Sequence, residues 1–217
     1  MRIRFVTAAS LALAFQFGAG AALAAGKADP DAYQRGDLAA AARDYSMRAQ
    51  RGERLAQFNL AMMMFRGEAA GDRDTALSWL RRAADQGLPQ AQYNLGLIFE
   101  NGTGVPRSQA DATAWFRRAA EQGHVQAQLN LATQYFLGRG APRDFAQAAV
   151  WYERAAQGDD VAAQYIIASL YEHGDGVAQD LRRARHWYEQ AAMQGDKLAR
   201  GKAEEVTRKL AATEGAR

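Results

Sequence analysis

Few residues of the chain have side chains suited to catalysis or metal binding, and they are scattered. There is no cysteine, and the three histidines are His124, His173 and His186. A metal site or a nucleophile with its base needs such groups to converge, and no His-Glu-x-x-His pair brings two histidines to one helix face. We therefore expect three solvated surface histidines and no catalytic residue, bound cofactor or metal site.

Two glycine-rich segments, Gly102–Gly104 and Gly174–Gly176, look at first like phosphate-binding loops. Each follows a predicted helix and not a strand, so a tight turn is the better prediction. Near the second segment, Glu172, Asp175 and Asp180 are acidic enough to hold calcium, but their spacing is not that of an EF-hand. Neither a phosphate site nor a calcium site is predicted here.

Four tryptophans recur at nearly constant spacing, at Trp79, Trp115, Trp151 and Trp187. Such a row could form a platform for sugars. Each tryptophan, however, lies three residues after one alanine and four before another, which places ring and alanines on one helix face. This pattern predicts that the tryptophans belong to the core.

The tryptophan row is one sign of a repeat that organises the chain. Shifting Ala91–Gln126 by 36 residues aligns Ala91 with Ala127 and then Ala163, and a backward shift by about one period reaches Ala56. Self-similarity at this period indicates stacked helical units. We predict four units over residues 53–198, at about 56–90, 91–126, 127–162 and 163–198.

Each unit is predicted to contain two helices, and each helix has one face of small and apolar residues. In the first helix of the second unit, Ala91, Leu95, Gly96 and Phe99 share one face, and in the second helix the shared face is Ala112, Trp115, Phe116 and Ala119. A capping residue stands seven residues before each tryptophan, at Asp72, Ser108, Asp144 and Asp180. Left-handed glycines are predicted after each first helix, at Gly67, Gly102, Gly138 and Gly174, and after each second helix, at Gly52, Gly87, Gly123, Gly158 and Gly195.

Half-units are predicted at both ends of the array. Residues 25–52 contain a helix from Leu38 to about Gln50, capped by Asp37, in which Tyr45 takes the place of the later tryptophans. Residues 199–217 contain a capping helix and a tail, with an apolar line along the helix and a charged outside. The apolar line is Ala199, Ala203, Val206 and Leu210, and we expect the chain from Ala211 to Arg217 to fray.

Residues 1–24 predict a secretory signal peptide. Arg2 and Arg4 precede an apolar stretch from Phe5 to about Phe17, and small residues at Ala22 and Ala24 suit a signal peptidase. An uncleaved membrane anchor is the alternative, which glycine and glutamine interruptions disfavour. No cysteine is available for lipid attachment, so we expect a periplasmic or secreted protein with no membrane span after cleavage.

Charge argues against a nucleic-acid partner. The chain has 27 Lys and Arg against 24 Asp and Glu, and removal of Arg2 and Arg4 leaves a nearly neutral protein. Nucleic-acid-binding domains carry a pronounced basic surface instead.

A candidate interaction groove follows from the helix geometry. The third and seventh residues of each first helix point away from its buried face, yet many are apolar, and amides lie beside them. The predicted groove residues are Phe58, Asn59, Met62, Tyr93, Asn94, Leu97, Leu129, Asn130, Thr133, Tyr165 and Ser169. The alternative is that these rings pack against neighbouring units, because a first helix in a stacked array is covered on two sides. Both interpretations remain open at this point.

The recurring pattern Ala-Gln-x-x-Leu-Gly-x-x-Tyr-x-x-Gly-x-Gly-Val, followed by Ala-x-x-Trp-Tyr-x-x-Ala-Ala-x-x-Gly, resembles the Sel-one-like repeat, a relative of the tetratricopeptide repeat. It is clearest at Ala91–Gly123 and Ala163–Gly195, with local departures at Met64, Ala69 and Ala141. The resemblance implies an all-α, right-handed superhelical solenoid of antiparallel helix pairs, whose concave face binds proteins or peptides.

From these features we expect a non-enzymatic protein–protein interaction scaffold in the bacterial cell envelope. One alternative is a β-lactam-binding or β-lactam-hydrolysing secreted repeat protein, although relatives of that kind are rich in cysteine. Another is an accessory factor for exopolysaccharide or cell-wall processes. Self-association is also possible, since an exposed apolar groove can receive a second copy.

Overall fold

The computed structural model describes residues 32–214, and within that range every regular element is an α-helix. The predicted signal peptide and the first residues of the N-terminal half-unit lie outside the described residues. The helices are α1 (Leu38–Gln50), α2 (Arg54–Phe65), α3 (Arg73–Asp85), α4 (Pro89–Asn101), α5 (Gln109–Glu121), α6 (Val125–Leu137), α7 (Phe145–Gln157), α8 (Val161–His173), α9 (Leu181–Met193) and α10 (Lys197–Glu214).

The helices stack in sequence order. Four pairs, α2/α3, α4/α5, α6/α7 and α8/α9, each combine a first and a second helix, and each pair contacts the next one along the chain. The helix α1 precedes the array as a lone second helix, and α10 follows it as a lone first helix. The protein is an all-α solenoid, as predicted. None of the helices between residues 32 and 214 is both long and apolar enough to cross a bilayer.

The predicted caps start the second helices. The side chains of Asp72, Ser108 and Asp144 accept backbone hydrogen bonds from residues three further on, at 2.7, 3.2 and 2.9 Å. Asp180 caps α9 in the same way, and Asp37 caps α1. A cap of this kind satisfies N–H groups that have no partner inside the helix, so these predictions are confirmed.

One predicted helix stop is wrong. Eight of the nine glycines are left-handed, but Gly158 has φ −86° and the left-handed residue is Asp159, at φ 62°. Gly158 aligns with Gln122, one residue before the left-handed position, and aspartate tolerates that conformation better than most residues. A Cβ at Gly158 would lie 2.5 Å from the Val125 side chain, so close approach explains this glycine.

The deepest side chain of each second helix is the residue after the tryptophan. Leu80, Phe116, Tyr152 and Tyr188 are at most 1% exposed, whereas among the tryptophans only Trp151 is buried. The first three tryptophans are covered by the guanidinium groups of Arg82, Arg118 and Arg154, which lie 4.7, 4.5 and 4.5 Å from the ring centroids. The prediction that the tryptophans form the core is therefore correct for Trp151 and only partly correct for the others.

The same alignment corrects the position given to Tyr45. Helix α1 begins 35 residues before α3, so Tyr45 matches Leu80 and not Trp79. Each first helix has a small residue at the place where the deep side chain of the second helix packs against it. A Cβ on Gly96 would lie 2.4 Å from the Phe116 ring, which requires close approach of the two helices.

A ladder of buried glutamines joins neighbouring units. Each of Gln57, Gln92, Gln128 and Gln164 donates to a backbone carbonyl of the preceding second helix, at 3.0 to 3.2 Å. In units one, two and four a second glutamine donates to the first, from Gln86, Gln122 and Gln194. In unit three this second place holds Gly158. Buried amides need partners, so the ladder fixes how units are stacked.

A flanking segment packs against each end of the array. At the N-terminal end, the turn at Ala32–Gly36 buries Ala32, and the Tyr33 hydroxyl donates to Glu68 at 3.1 Å. At the C-terminal end, α10 buries Ala199, Ala203 and Val206, with Leu210 partly covered, as predicted. The expectation of fraying from Ala211 is wrong as far as Glu214, where α10 ends, and residues 215–217 lie outside the described part.

Candidate functional site

The eleven predicted groove residues divide into two sets. Phe58, Met62 and Asn94 are 5%, 1% and 4% exposed. Phe58 and Met62 belong to the core cluster that also contains Leu95 and Ile98 of the next first helix. Their inclusion in an exposed groove is therefore a wrong prediction, because Phe58 and Met62 pack against the second unit and Asn94 is buried as well.

The other eight residues are half-buried. We call them the first-helix row: Asn59, Tyr93, Leu97, Leu129, Asn130, Thr133, Tyr165 and Ser169. The apolar members pack against the core cluster with one side and remain partly exposed on the other. Both features anticipated for these rings are thus present, contact with adjacent units and access to solvent.

Tyr93 connects the second and third units. Its ring stacks on the imidazole of His124 with 4.6 Å between centroids, and it lies 5.9 Å from the ring of Phe116. Burial raises the pKa of the Tyr93 hydroxyl, and the nearby side chain of Asn130 acts in the opposite direction. These contacts order the exposed edge of the ring and restrict its rotation.

His124 corrects the expectation of three solvated histidines. It is half-buried and is the N-cap of α6, where its Nδ1 accepts the backbone N–H of Ala127 at 3.3 Å. Burial lowers the pKa of His124, because the charged imidazolium is poorly solvated there. The other two histidines, His173 and His186, are exposed as predicted.

A polar cavity of about 350 Å³ lies beside the row at the end of α4. Glu100 accepts a hydrogen bond from Gln134 at 2.8 Å, and burial raises the pKa of this carboxyl group. Arg107 and Arg139 also line the cavity, but neither forms an ion pair with a carboxylate of the described residues. Sequence reasoning missed Glu100, although it occupies the place of Phe65 and Phe136 in other units.

In the fourth unit, Tyr165 packs edge-on against Tyr188, with 5.3 Å between centroids. The Tyr188 hydroxyl donates to Glu172 at 3.0 Å, and Lys209 of α10 donates to the same carboxylate at 2.6 Å. Burial alone would raise the pKa of Glu172, but these hydrogen bonds outweigh it and hold the pKa below its usual range. Glu172 is therefore bound to a lysine and not available to calcium.

The described side chains of this surface offer contacts suited to binding. Between residues 32 and 214, His, Asp and Glu side chains form no group of three that could hold a metal ion. The candidate site is the first-helix row: aromatic and aliphatic edges, hydroxyls and amides on four successive first helices, with the Glu100 cavity at the end of α4.

A family model described as Sel1 repeat matches residues 54–88, 89–124, 125–160 and 161–196. Among solved structures, a protective antigen of uropathogenic Escherichia coli displaying an SLR fold is 39% identical with a TM-score of 0.68, covering 73% of this chain and 34% of that one. A Sel1 repeat protein from Oxalobacter formigenes is 33% identical with a TM-score of 0.73, covering 78% of this chain and 50% of that one.

Curated relatives match over shorter segments. DAP3-binding cell death enhancer 1 of Rattus norvegicus is 48% identical over 42 residues, which is 19% of this chain and 8% of that protein. A chitin synthase regulator of Saccharomyces cerevisiae is 37% identical over 67 residues, 30% of this chain and 10% of that protein. The match thus spans a tenth or less of these relatives. Sel1-repeat proteins are generally protein-interaction scaffolds, and the four matched repeats place this chain in the Sel1-repeat family.

Proposed function

We propose that the protein is an exported, non-enzymatic scaffold of the bacterial cell envelope that binds a protein or an extended peptide along the first-helix row. The observation that carries the proposal is the repetition of one half-exposed position. Tyr93, Leu129 and Tyr165 hold this position in three successive first helices, each packed on the core at one side and open at the other.

Such a row suits a peptide more than a small molecule. Tyrosine is among the residues that contribute most of the binding free energy in protein interfaces, and neighbouring polar groups can pair with a peptide backbone. Asn130 supplies such an amide in the third unit, whereas the Thr133 hydroxyl is already bonded to the Leu129 carbonyl and the Tyr152 hydroxyl. The contacts that hold Tyr93 in place reduce the side-chain entropy lost on binding.

Site-specific photo-crosslinking tests this surface. A photoreactive phenylalanine analogue would be placed at Leu97 or Leu129 in the row, and at Val150 as a control, which is 45% exposed on a second helix. With envelope extract, the two row positions should give the same crosslinked partner and Val150 should not. Identical adducts at all three positions, or none at the row, would contradict the proposal.

Export is tested separately. The proposal of export is based on residues 1–24. These contain two arginines, then an apolar stretch, then small residues suited to a signal peptidase. N-terminal sequencing of protein recovered from the periplasmic or extracellular fraction should start at Ala25. Recovery of a full-length chain from the cytoplasmic fraction would contradict export and leave the interaction surface to be judged by crosslinking.

A further inference from the structure

Within residues 32–214, helix α10 has one face that no other helix covers. In each of the four units the first helix is covered along one side by its own second helix. Helix α10 aligns with the first helices, but no second helix follows it within residues 32–214. The side that would receive one borders a groove between α9 and α10 of about 680 Å³, with Met193, which is 71% exposed, among its lining residues.

This groove is not shaped for another regular unit. The small residue that admits the deep side chain in each unit is Ala61, Gly96, Ala132 or Ala168, and in α10 the same place holds Glu204. Arg200 of α10 occupies the repeat position of Gln164, which accepts a hydrogen bond from Gln194 in unit four. If α1 of a second copy docked there as the next second helix, its Arg51 would face Arg200. Like charges and the Glu204 side chain both oppose head-to-tail extension.

The charges along α10 do match a different arrangement. Charged residues of alternating sign occur at every fourth position. This spacing places all four on one stripe that winds slowly around the helix. The stripe is Asp196, Arg200, Glu204 and Arg208. The last three side chains are exposed and form no ion pair within the described chain. Asp196 accepts the N–H groups of Leu198 and Ala199 as the helix cap.

Laid antiparallel against its own copy, the stripe is self-complementary. Arg200 then faces Glu204 of the other copy, and Asp196 faces Arg208, so that four opposite-charge contacts form about one two-fold axis. A parallel or head-to-tail arrangement gives no such match in register.

We propose that two copies of this chain associate through the α9–α10 groove, with the two α10 helices antiparallel across a two-fold axis. The pair covers Met193 and joins two arrays at their C-terminal ends. The first-helix rows of units two to four do not take part, so this association stands independently of the proposed function.

Sedimentation equilibrium of the purified chain tests the proposal. With rising concentration at low salt, the weight-average mass should approach twice that of one chain, and added salt should weaken the association. Arg200→Glu or Glu204→Arg alone places like charges opposite each other twice. Each should raise the dissociation constant by at least about tenfold.

The combination of both reversals is the decisive variant. Arg200→Glu with Glu204→Arg exchanges the two charges and recreates the pairing, so the dissociation constant should return towards that of the unaltered chain. Arg81→Glu, on the exposed side of α3, is a matched control that should leave association unchanged. All variants should keep the melting temperature, since the altered side chains are exposed. A chain that stays monomeric, or single reversals that the double reversal does not rescue, would overturn the proposal.

Discussion

The junction between units one and two lacks a tyrosine hydroxyl that the junction between units two and three has. Phe58 and Tyr93 occupy the same repeat position, as do Asn94 and Asn130. At the later junction the Tyr93 hydroxyl lies near the side chain of Asn130, which influences its pKa. At the earlier one Phe58 has no hydroxyl, and the buried Oδ1 of Asn94 has no hydrogen-bond partner among the described residues.

The difference extends to burial. The earlier junction is closed, with Phe58 and Met62 in the core, whereas Tyr93 and Leu97 remain partly exposed. A repeat position therefore does not determine whether its side chain serves packing or recognition. The side chains that the neighbouring units place against it decide between the two roles. The following experiments measure their effect on stability.

The largest effect is expected from truncating the two in-register aliphatic residues. Met62→Ala should lower the free energy of unfolding by about 3 kcal/mol, because it removes a fully buried side chain. Leu97→Ala should cost about half as much, since Leu97 is half-buried. Urea denaturation of both variants gives the comparison. Equal losses would mean that the row is ordinary core.

The same substitution at the two asparagines should have opposite signs. Asn94→Leu removes a buried acceptor that has no partner and should stabilise the protein by up to about 1 kcal/mol. Asn130→Leu removes the amide beside the partly buried Tyr93 hydroxyl and should destabilise the protein by about 1 kcal/mol. Thermal unfolding of each variant decides this, and two changes of the same sign would refute our account of the junctions.

Exchanging the aromatic residues should convert one junction into the other. Phe58→Tyr offers Asn94 a hydroxyl and should stabilise the chain by about 0.5–1 kcal/mol, while Tyr93→Phe should lose a similar amount. A double-mutant cycle of Phe58→Tyr with Asn94→Leu isolates the new hydrogen bond. The absence of coupling between the two changes would show that the hydroxyl does not reach the amide.

The smallest effect is a pH dependence confined to the later junction. Burial lowers the pKa of His124 below its ordinary value, so the unfolded chain binds a proton more readily than the folded one. The stability from neutral His124 is complete above about pH 6.5 and is lost as the pH falls through the lowered value.

The variant that tests this is His124→Asn, which keeps an N-cap acceptor and removes the titration. Its free energy of unfolding should change less between pH 7 and pH 5 than that of the unaltered chain. At the earlier junction the same place is Leu88, which makes no side-chain cap. An unchanged pH profile in the variant would rule out His124 as the source.

Much of the fold could be predicted because packing repeats with the sequence. The period, the caps and the left-handed glycines each follow from local chemistry, and α1 and α10 were placed by their apolar faces. The errors arose where a unit departs from the others by one residue. Gly158 stands where a helix stop is expected, but alignment on Trp151 places it opposite Gln122. The left-handed residue is Asp159.

The candidate site was less predictable, because burial of a first-helix residue depends on its neighbour in the next unit. Helical angle alone put Met62 and Leu97 in one class, although Met62 is 1% exposed and Leu97 is half-buried. Likewise, the sequence pattern marked His124 as a surface residue because nothing local indicates that Tyr93, 31 positions earlier, stacks on it.

The glutamine ladder also constrains how such a gene can change in length. Each glutamine of the ladder bonds a first helix to the second helix before it. Loss or gain of one whole unit therefore leaves every remaining glutamine with a carbonyl partner. Removal of residues 127–162 would bring Gln164 to the carbonyl of Ala120, which Gln128 uses now. A deletion that begins or ends inside a helix would instead bury an amide without a partner. We therefore expect viable length variants of this chain to differ by whole repeats or by loop residues, as unit one does, since it is one residue shorter and keeps its glutamine bond.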